Sequence, residues 1–131
     1  MKRRRLLDSF ALLVYLKGER GHEKVKALIA DRDGELLMND INLGETYYIL
    51  ARERGKEEAD YFVEVVFPSL PIAHVPNSLA DVLAAARIKS RHAVSYADCF
   101  AAATALRENA SIVTGDPEFR KLEKEVKIEW L

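Results

Sequence analysis

Arg4-Arg5-Leu6-Leu7-Asp8-Ser9-Phe10-Ala11-Leu12-Leu13-Val14-Tyr15-Leu16 changes rhythm twice within a few residues. Arg4 to Leu7 is a short run ending in apolar residues, the length of a strand. Asp8-Ser9 offers side-chain oxygens to cap the free N–H groups that begin a helix. Phe10 to Leu16 is then apolar on every side, as a buried helix is. The same alternation continues outward. Gly18 and Gly21 mark a loop, Val25, Leu28 and Ile29 recur at helical spacing, and Gly34 closes that segment. Glu35 to Met38 reads as a strand, and a helix runs from Ile41 to about Arg54, where Gly55 stops it. A further amphipathic helix spans Glu57 to Val66, Pro68 and Pro71 flank a turn, and Leu70 to Val75 is a strand with Pro71 near its start. Leu79, Val82, Leu83 and Ala86 form a helical stripe, and another helix opens at Ser95 and reaches about Glu108. Ser111 to Thr114 is strand-like, Gly115-Asp116-Pro117 turns into a short helix over Glu118 to Leu122, and Val126 to Trp130 is a last strand.

Strands alternating with helices predict an α/β fold, a three-layer sandwich with a central parallel sheet flanked by helices. At 131 residues the chain is expected to be a single domain, 1–131. Apolar residues make up 49% of it, enough for a core and too many for a disordered chain. Charge is balanced, 20 Lys+Arg against 21 Asp+Glu, so no global basic field draws a polyanion, which must be held locally or through a metal. Cys99 stands alone, which excludes an internal disulfide and suits a reducing, cytoplasmic setting. Met1-Lys2-Arg3-Arg4-Arg5 looks like the start of a signal peptide, but Asp8 and Ser9 interrupt the apolar run and no small-residue cleavage site follows. No run approaches the roughly 20 apolar residues of a membrane span. A soluble, unprocessed protein is expected.

Most acids interleave with Lys and Arg, as Glu53, Glu57, Glu58 and Asp60 do with Arg52, Arg54 and Lys56, and as those from Glu118 to Glu129 do. These read as solvated faces. Four others are placed differently. Asp8 directly follows the first strand, and Asp116 follows Ile112 to Thr114 after one glycine, so both stand at the carboxyl ends of strands. Parallel sheets hold their ligands there, where the strand order reverses. Glu45 has Ile41 at i−4, Tyr48 at i+3 and Ile49 at i+4, so it is expected to point along an apolar stripe toward the sheet. Asp98 repeats the pattern with Ala101, Ala102 and Ala105. A carboxylate facing a core is costly unless paired or metal-bound, and Arg52 is the only cation on those stripes.

Each position also has a plainer reading. Ser95-x-x-Asp98 fits a capping box, Asp116 before Pro117 is a good N-cap, Asp8 suits a turn, and Glu45 could lie at the edge of its face. Capping does not exclude ligation, and the joint pattern gathers all four acids at one end of the sheet. Two like charges about 4 Å apart cost roughly 4 kcal/mol at a surface-like dielectric, so the cluster calls for a divalent cation. All-oxygen ligation favours Mg²⁺ or Mn²⁺, and the implied reaction is metal-assisted hydrolysis of a phosphodiester.

Leu6-Leu7-Asp8-Ser9, Ile41-Asn42-Leu43-Gly44-Glu45, Ser95-Tyr96-Ala97-Asp98 and Val113-Thr114-Gly115-Asp116-Pro117-Glu118-Phe119 together resemble the motifs of PIN-domain ribonucleases, above all the VapC-type toxins of toxin-antitoxin pairs. The resemblance covers essentially the whole chain. It implies a parallel sheet flanked by helices, an endoribonuclease dependent on Mg²⁺ or Mn²⁺, an RNA substrate, a homodimer and a small cognate antitoxin. Carried over by motif, the catalytic and metal-binding acids are Asp8, Glu45, Asp98 and Asp116. Ser9 and Thr114 resemble polar residues that support the site, and Asn42 is a weaker match of that kind. One position departs: where many relatives carry Ser, Thr or Asn two places after the first acid, this chain has Phe10.

Arg87, Lys89 and Arg91, with His92, form a basic group that could hold RNA phosphates, although cations near a helix C-terminus also complement its dipole. Lys2 to Arg5 read as the charges of an exposed strand edge. His22, His74 and His92 are not spaced as metal ligands, Cys99 reads as a small buried hydrophobe, and Tyr47, Tyr48, Tyr61, Phe62 and Phe67 as packing residues. A haloacid-type phosphatase would need an acid at position 10, and a receiver domain paired acids by the first strand; neither pattern fits. The remaining alternative is a catalytically inert PIN-like module that binds RNA or a partner protein, which retention of all four acids argues against.

Overall fold

Arg3–Leu7 forms strand β1, and its register places it at the centre of the sheet. The computed structural model describes residues 2–131. β1 pairs in parallel with β2 (Gly34–Asn39) on one side and with β4 (Ser111–Thr114) on the other, setting Leu6 opposite both Leu37 and Ile112. β3 (Ile72–Val75) adds beyond β2 and β5 (Ile128–Trp130) beyond β4, all parallel, in the order β3-β2-β1-β4-β5. The chain builds outward from β1 in one direction and then returns to its other side, so the order reverses between β1 and β4.

Helices α1 (Ser9–Lys17), α2 (His22–Ala30), α3 (Asp40–Arg54), α4 (Lys56–Tyr61), α5 (Phe67–Ser69), α6 (Leu79–Arg91) and α7 (Tyr96–Arg107) cover the sheet. Successive strand residues face opposite sides, and the two core clusters follow that alternation. Leu6, Leu37 and Ile112 pack with Ala85, Ile88, Phe100, Ala101, Ala102, Ala105, Phe119 and Leu122. Leu7, Leu36, Met38 and Val113 pack with Ala11, Leu12, Val25, Leu50, Ala59 and Phe62. The expected three layers are thus present. Phe119 is fully buried in the first cluster. Phe119→Ala is expected to lower unfolding stability by about 3–5 kcal/mol, read as a lower urea midpoint at an unchanged slope.

Some sequence-based expectations are corrected. Only part of the stripe Ile41, Tyr48 and Ile49 faces inward: Ile41 and Tyr48 are 42% and 45% exposed, Ile49 is half-buried against the core, and α3 buries Asn42, Thr46 and Leu50. This inner face is mostly polar, and its groups are bonded. Asn42 Nδ2 donates to the Ala97 carbonyl at 3.1 Å and Thr46 Oγ1 to the Asn42 carbonyl at 2.9 Å, which removes much of the cost of burial. Tyr48 lies outside under Arg52, whose guanidinium carbon is 5.0 Å from the ring centroid. The single helix expected over Glu57 to Val66 is α4 followed by a π-helical turn, Phe62–Val66, which runs on into α5 and takes Pro68 with it. The strand expected from Leu70 begins at Ile72, and the last strand begins at Ile128. Finally, β1 is central and not an edge. Arg5 is buried there and pairs with Glu129 at 2.8 Å, while Arg4 bridges Glu35 and Glu108.

Candidate active site

The reversal of strand order leaves the carboxyl ends of β1 and β4 side by side, and each delivers an acid. Asp8 has an extended backbone and caps α1, accepting from the Ala11 N–H at 2.9 Å. Its second carboxylate oxygen accepts from Thr114 Oγ1, at the end of β4, at 2.5 Å. The same Thr114 oxygen accepts from the Asp116 N–H at 3.0 Å. One hydroxyl therefore fixes both acids, which explains why a threonine ends this strand. Asp116 also caps the short 3-10 turn Pro117–Leu122 through the Glu118 N–H, so its capping role is real and leaves its other oxygen free.

The third and fourth acids come from helices that pack across this edge. Asp98 sits in the first turn of α7, capped by Ser95, whose Oγ accepts from the Asp98 N–H at 3.1 Å. Only this half of the expected capping box forms between backbone N–H and side chain; the Asp98 carboxylate does not turn back to the Ser95 N–H. The neighbours Ala101, Ala102 and Ala105 bring α7 close to the sheet. Glu45, on α3, accepts from Ser9 Oγ, which ties α3 to α1. The Asn42 bond to Ala97 ties α3 to α7 in turn, while Asn42 Oδ1 is buried without a protein partner.

Glu45, Asp98 and Asp116 open on one cleft of about 410 Å³, together with Ser9, Phe10 and Ser95, and Asp8 lies beneath it at 2% exposure. Burial pushes Asp8 up to about 7; the Thr114 and Ala11 hydrogen bonds pull it back, and the charges of Asp98 and Asp116 raise it further. Asp98, 7% exposed, is pushed up to about 6, again first by burial, then by Asp116, with the Ser95 hydroxyl acting the other way and Glu45 and Glu118 adding repulsion. Among the described residues no Lys, Arg or His forms an ion pair with any of the four acids. Hard oxygen donors without a cation, two of them buried, fit Mg²⁺ or Mn²⁺ better than a softer ion. Among the described residues no three His, Cys, Asp or Glu are grouped closely enough to hold a metal ion as they stand. The acids thus share a region without forming a closed ligand set; Mg²⁺, which keeps several waters, would need only one or two of them.

Glu118 is exposed and pairs with Lys121 at 3.0 Å, as its charge alternation predicts, and it also lines the cleft beside Asp116. Its place in the quoted motif directly after Asp116-Pro117 was the available signal. Of the basic group, Lys89 Nζ donates to the Val94 carbonyl at 2.6 Å and Arg91 pairs with Glu125 at 3.1 Å, so both brace the molecule itself; Arg87 is exposed. His74 pairs with Asp40 and His92 with Glu125, and Cys99 is buried.

A parallel α/β sheet with an acidic cleft at its switch point defines a broad class of folds that take their ligands beyond the strand ends. Within it, a family model for the PIN domain matches residues 5–125, and the chain belongs to that family. Its fold is similar to that of VapBC2 from Rickettsia felis bound to a promoter DNA fragment (17% identity over 97% of this chain and 98% of the other, TM-score 0.74). It is equally similar to that of Mycobacterium tuberculosis VapC20, described as a toxin that cleaves the sarcin-ricin loop (18%, 93% and 95%, 0.75). DNA-bound VapBC from Salmonella typhimurium shares the fold too (16%, 99% and 98%, 0.72). No curated protein matches the chain by sequence. No helix among the described residues is long and apolar enough to cross a membrane.

Proposed function

We propose that this chain is a metal-dependent endoribonuclease, the toxin of a toxin-antitoxin pair, and that one domain carries the whole activity. The observation that carries this reading is the convergence of Asp8, Glu45, Asp98 and Asp116 from separate elements onto one cleft with no cation of the protein's own to neutralise them. These residues would hold Mg²⁺ or Mn²⁺, which when bound supplies an activated water and charge stabilisation on the phosphodiester. Asp8 and Asp116, locked to Thr114, form the rigid side of the cradle. Glu45, oriented by Ser9, and Asp98, at the start of α7, form the side that approaches from the helices. Asn42 keeps those two helices in register.

The similar structures, toxin-antitoxin complexes and a toxin that cleaves the sarcin-ricin loop, support an RNA substrate and a small antitoxin partner. A homodimer in the cytoplasm completes the reading. The exposed Leu79 and Leu83, about one helical turn apart on α6, supply apolar surface for such a contact. The test is to incubate the purified protein with structured RNAs in Mn²⁺ and in chelator. Cleavage in Mn²⁺ alone is expected. Binding of RNA with no cleavage at millimolar Mn²⁺ would instead identify an inert module.

A further inference from the structure

Phe10 joins neither core cluster. The side chain is 39% exposed, on the first turn of α1, and it lines the acidic cleft. Its ring is held against bare backbone: a Cβ built on Gly115 would lie 2.4 Å from Phe10 Cε1 and 3.0 Å from Cζ. Gly115 separates Thr114 from Asp116, so the ring packs on the backbone just past β4, next to the residues that carry the site's acids. Only a glycine there lets the ring come so close.

None of the side chains lining this cleft is cationic, and Phe10 is the only aromatic one among the described residues. A polyanion entering it finds carboxylates, and Lys121, at its edge, is already engaged: its Nζ pairs with Glu118 and donates to the Ala93 carbonyl, each at 3.0 Å. Attraction beyond that of a bound metal must therefore come from uncharged contacts. A partly exposed phenyl ring is the strongest of these for a nucleotide, because every base has a π-face to stack.

We propose that Phe10 is a base-stacking platform that positions a nucleotide next to the scissile phosphate, making it a positioning residue for the substrate. This rests on the nuclease reading above. Stacking on the ring tolerates any base but requires one that is unpaired and splayed from its neighbours, so the substrate class is single-stranded or looped RNA. Duplex RNA, with its bases stacked inside, is disfavoured.

The test uses the full chain, a looped RNA whose cleavage position is first mapped in Mn²⁺, and fluorescein-labelled copies of that RNA for anisotropy. Phe10→Ala and Phe10→Leu are each expected to raise KM and the dissociation constant by roughly 5- to 150-fold, with kcat changed far less. Phe10→Tyr should retain parent values, showing that aromaticity is what counts. An abasic nucleotide at one position flanking the cleaved bond should weaken the parent equally and erase its advantage over Phe10→Ala. Thermal melts confirm that the variants are folded. Parent-like KM and affinity in Phe10→Leu, or a Phe10→Ala defect that persists on every abasic substrate, would overturn the proposal while leaving the nuclease reading intact. Tight, Phe10-dependent RNA binding without cleavage would keep the platform and remove the nuclease. Loss of affinity for a partner protein with RNA affinity unchanged would overturn the platform in favour of a protein contact.

Discussion

Asp98→Asn is expected to reduce RNA cleavage in Mn²⁺ by well over a hundredfold and at the same time to raise the melting temperature of the metal-free protein at pH 8. The first effect follows from position: Asp98 opens on the cleft and has no cation partner, so its charge is free to meet a metal. Loss of a group that merely supports a ligand already costs 10- to 100-fold, and loss of the ligand itself costs more. The second effect follows from its surroundings. Burial and the neighbouring charges of Asp116, Glu45 and Glu118 push Asp98 up to about 6, so at pH 8 the fold carries a charge it holds at a loss. A neutral amide of the same shape relieves that loss, on the order of 1–2 kcal/mol after allowance for solvent screening, which corresponds to a few degrees. Thermal scans in chelator and initial cleavage rates read the two effects separately. A variant that cuts normally would refute the assignment of Asp98, and one that is inactive but destabilised would indicate a structural role.

The metal-free protein is expected to be more stable at pH 5 than at pH 8, and its affinity for Mn²⁺ is expected to change in the opposite direction. Asp8 titrates near 7 and Asp98 near 6 in the folded state, both above the ordinary 3.8. Between those values the folded chain holds protons that the unfolded chain has released. That contribution to stability is fully present below about pH 4 and is lost as pH rises through 6 and then 7. A divalent cation must displace the same protons. Its affinity should therefore rise by about tenfold per pH unit for each proton displaced and level off above pH 7. Calorimetric titration in buffers of different ionisation heat would count the protons released. Equal Mn²⁺ affinity at pH 5.5 and pH 8 would show that Asp8 and Asp98 are not the ligands.

The elements of this site were legible to different degrees. Asp8 and Asp116 could be placed because each lies within two residues of a strand end, and strand ends in a parallel sheet are fixed by short apolar runs. Asp98 could be placed because the alanines on its face mark close packing. Glu45 reached the right cleft by a wrong route. Its supposed stripe of Ile41 and Tyr48 faces water, whereas α3 buries Asn42 and Thr46. Hydrophobic periodicity assumes that buried means apolar, and it fails where an amide and a hydroxyl find backbone partners inside. Asn39 escaped notice for the same reason. Fully buried, it caps α3 at the Ile41 N–H and donates to Asn77 at 2.7 Å and to Thr104 at 2.6 Å. Glu118 was hidden by alternating charge, which looks the same on an open helix and on a turn folded back over a cleft. The π-helical turn after α4 is Phe-Val-Glu-Val-Val, mostly β-branched or aromatic residues of low helix propensity, and its apolar spacing alone does not separate it from the helix before it.

Because the sheet order is β3-β2-β1-β4-β5, the central strand β1 finds one neighbour, β2, nearby in the chain and the other, β4, far along it. Thr114 reaches Asp8 across 106 residues, so the acidic cradle closes only when β4 docks. Such long-range closure is slow, since distant segments must find each other before any contact rewards them. The topology thus makes the cradle a late product of folding: a chain that has paired β1 only with β2 and β3 has part of the sheet and no site.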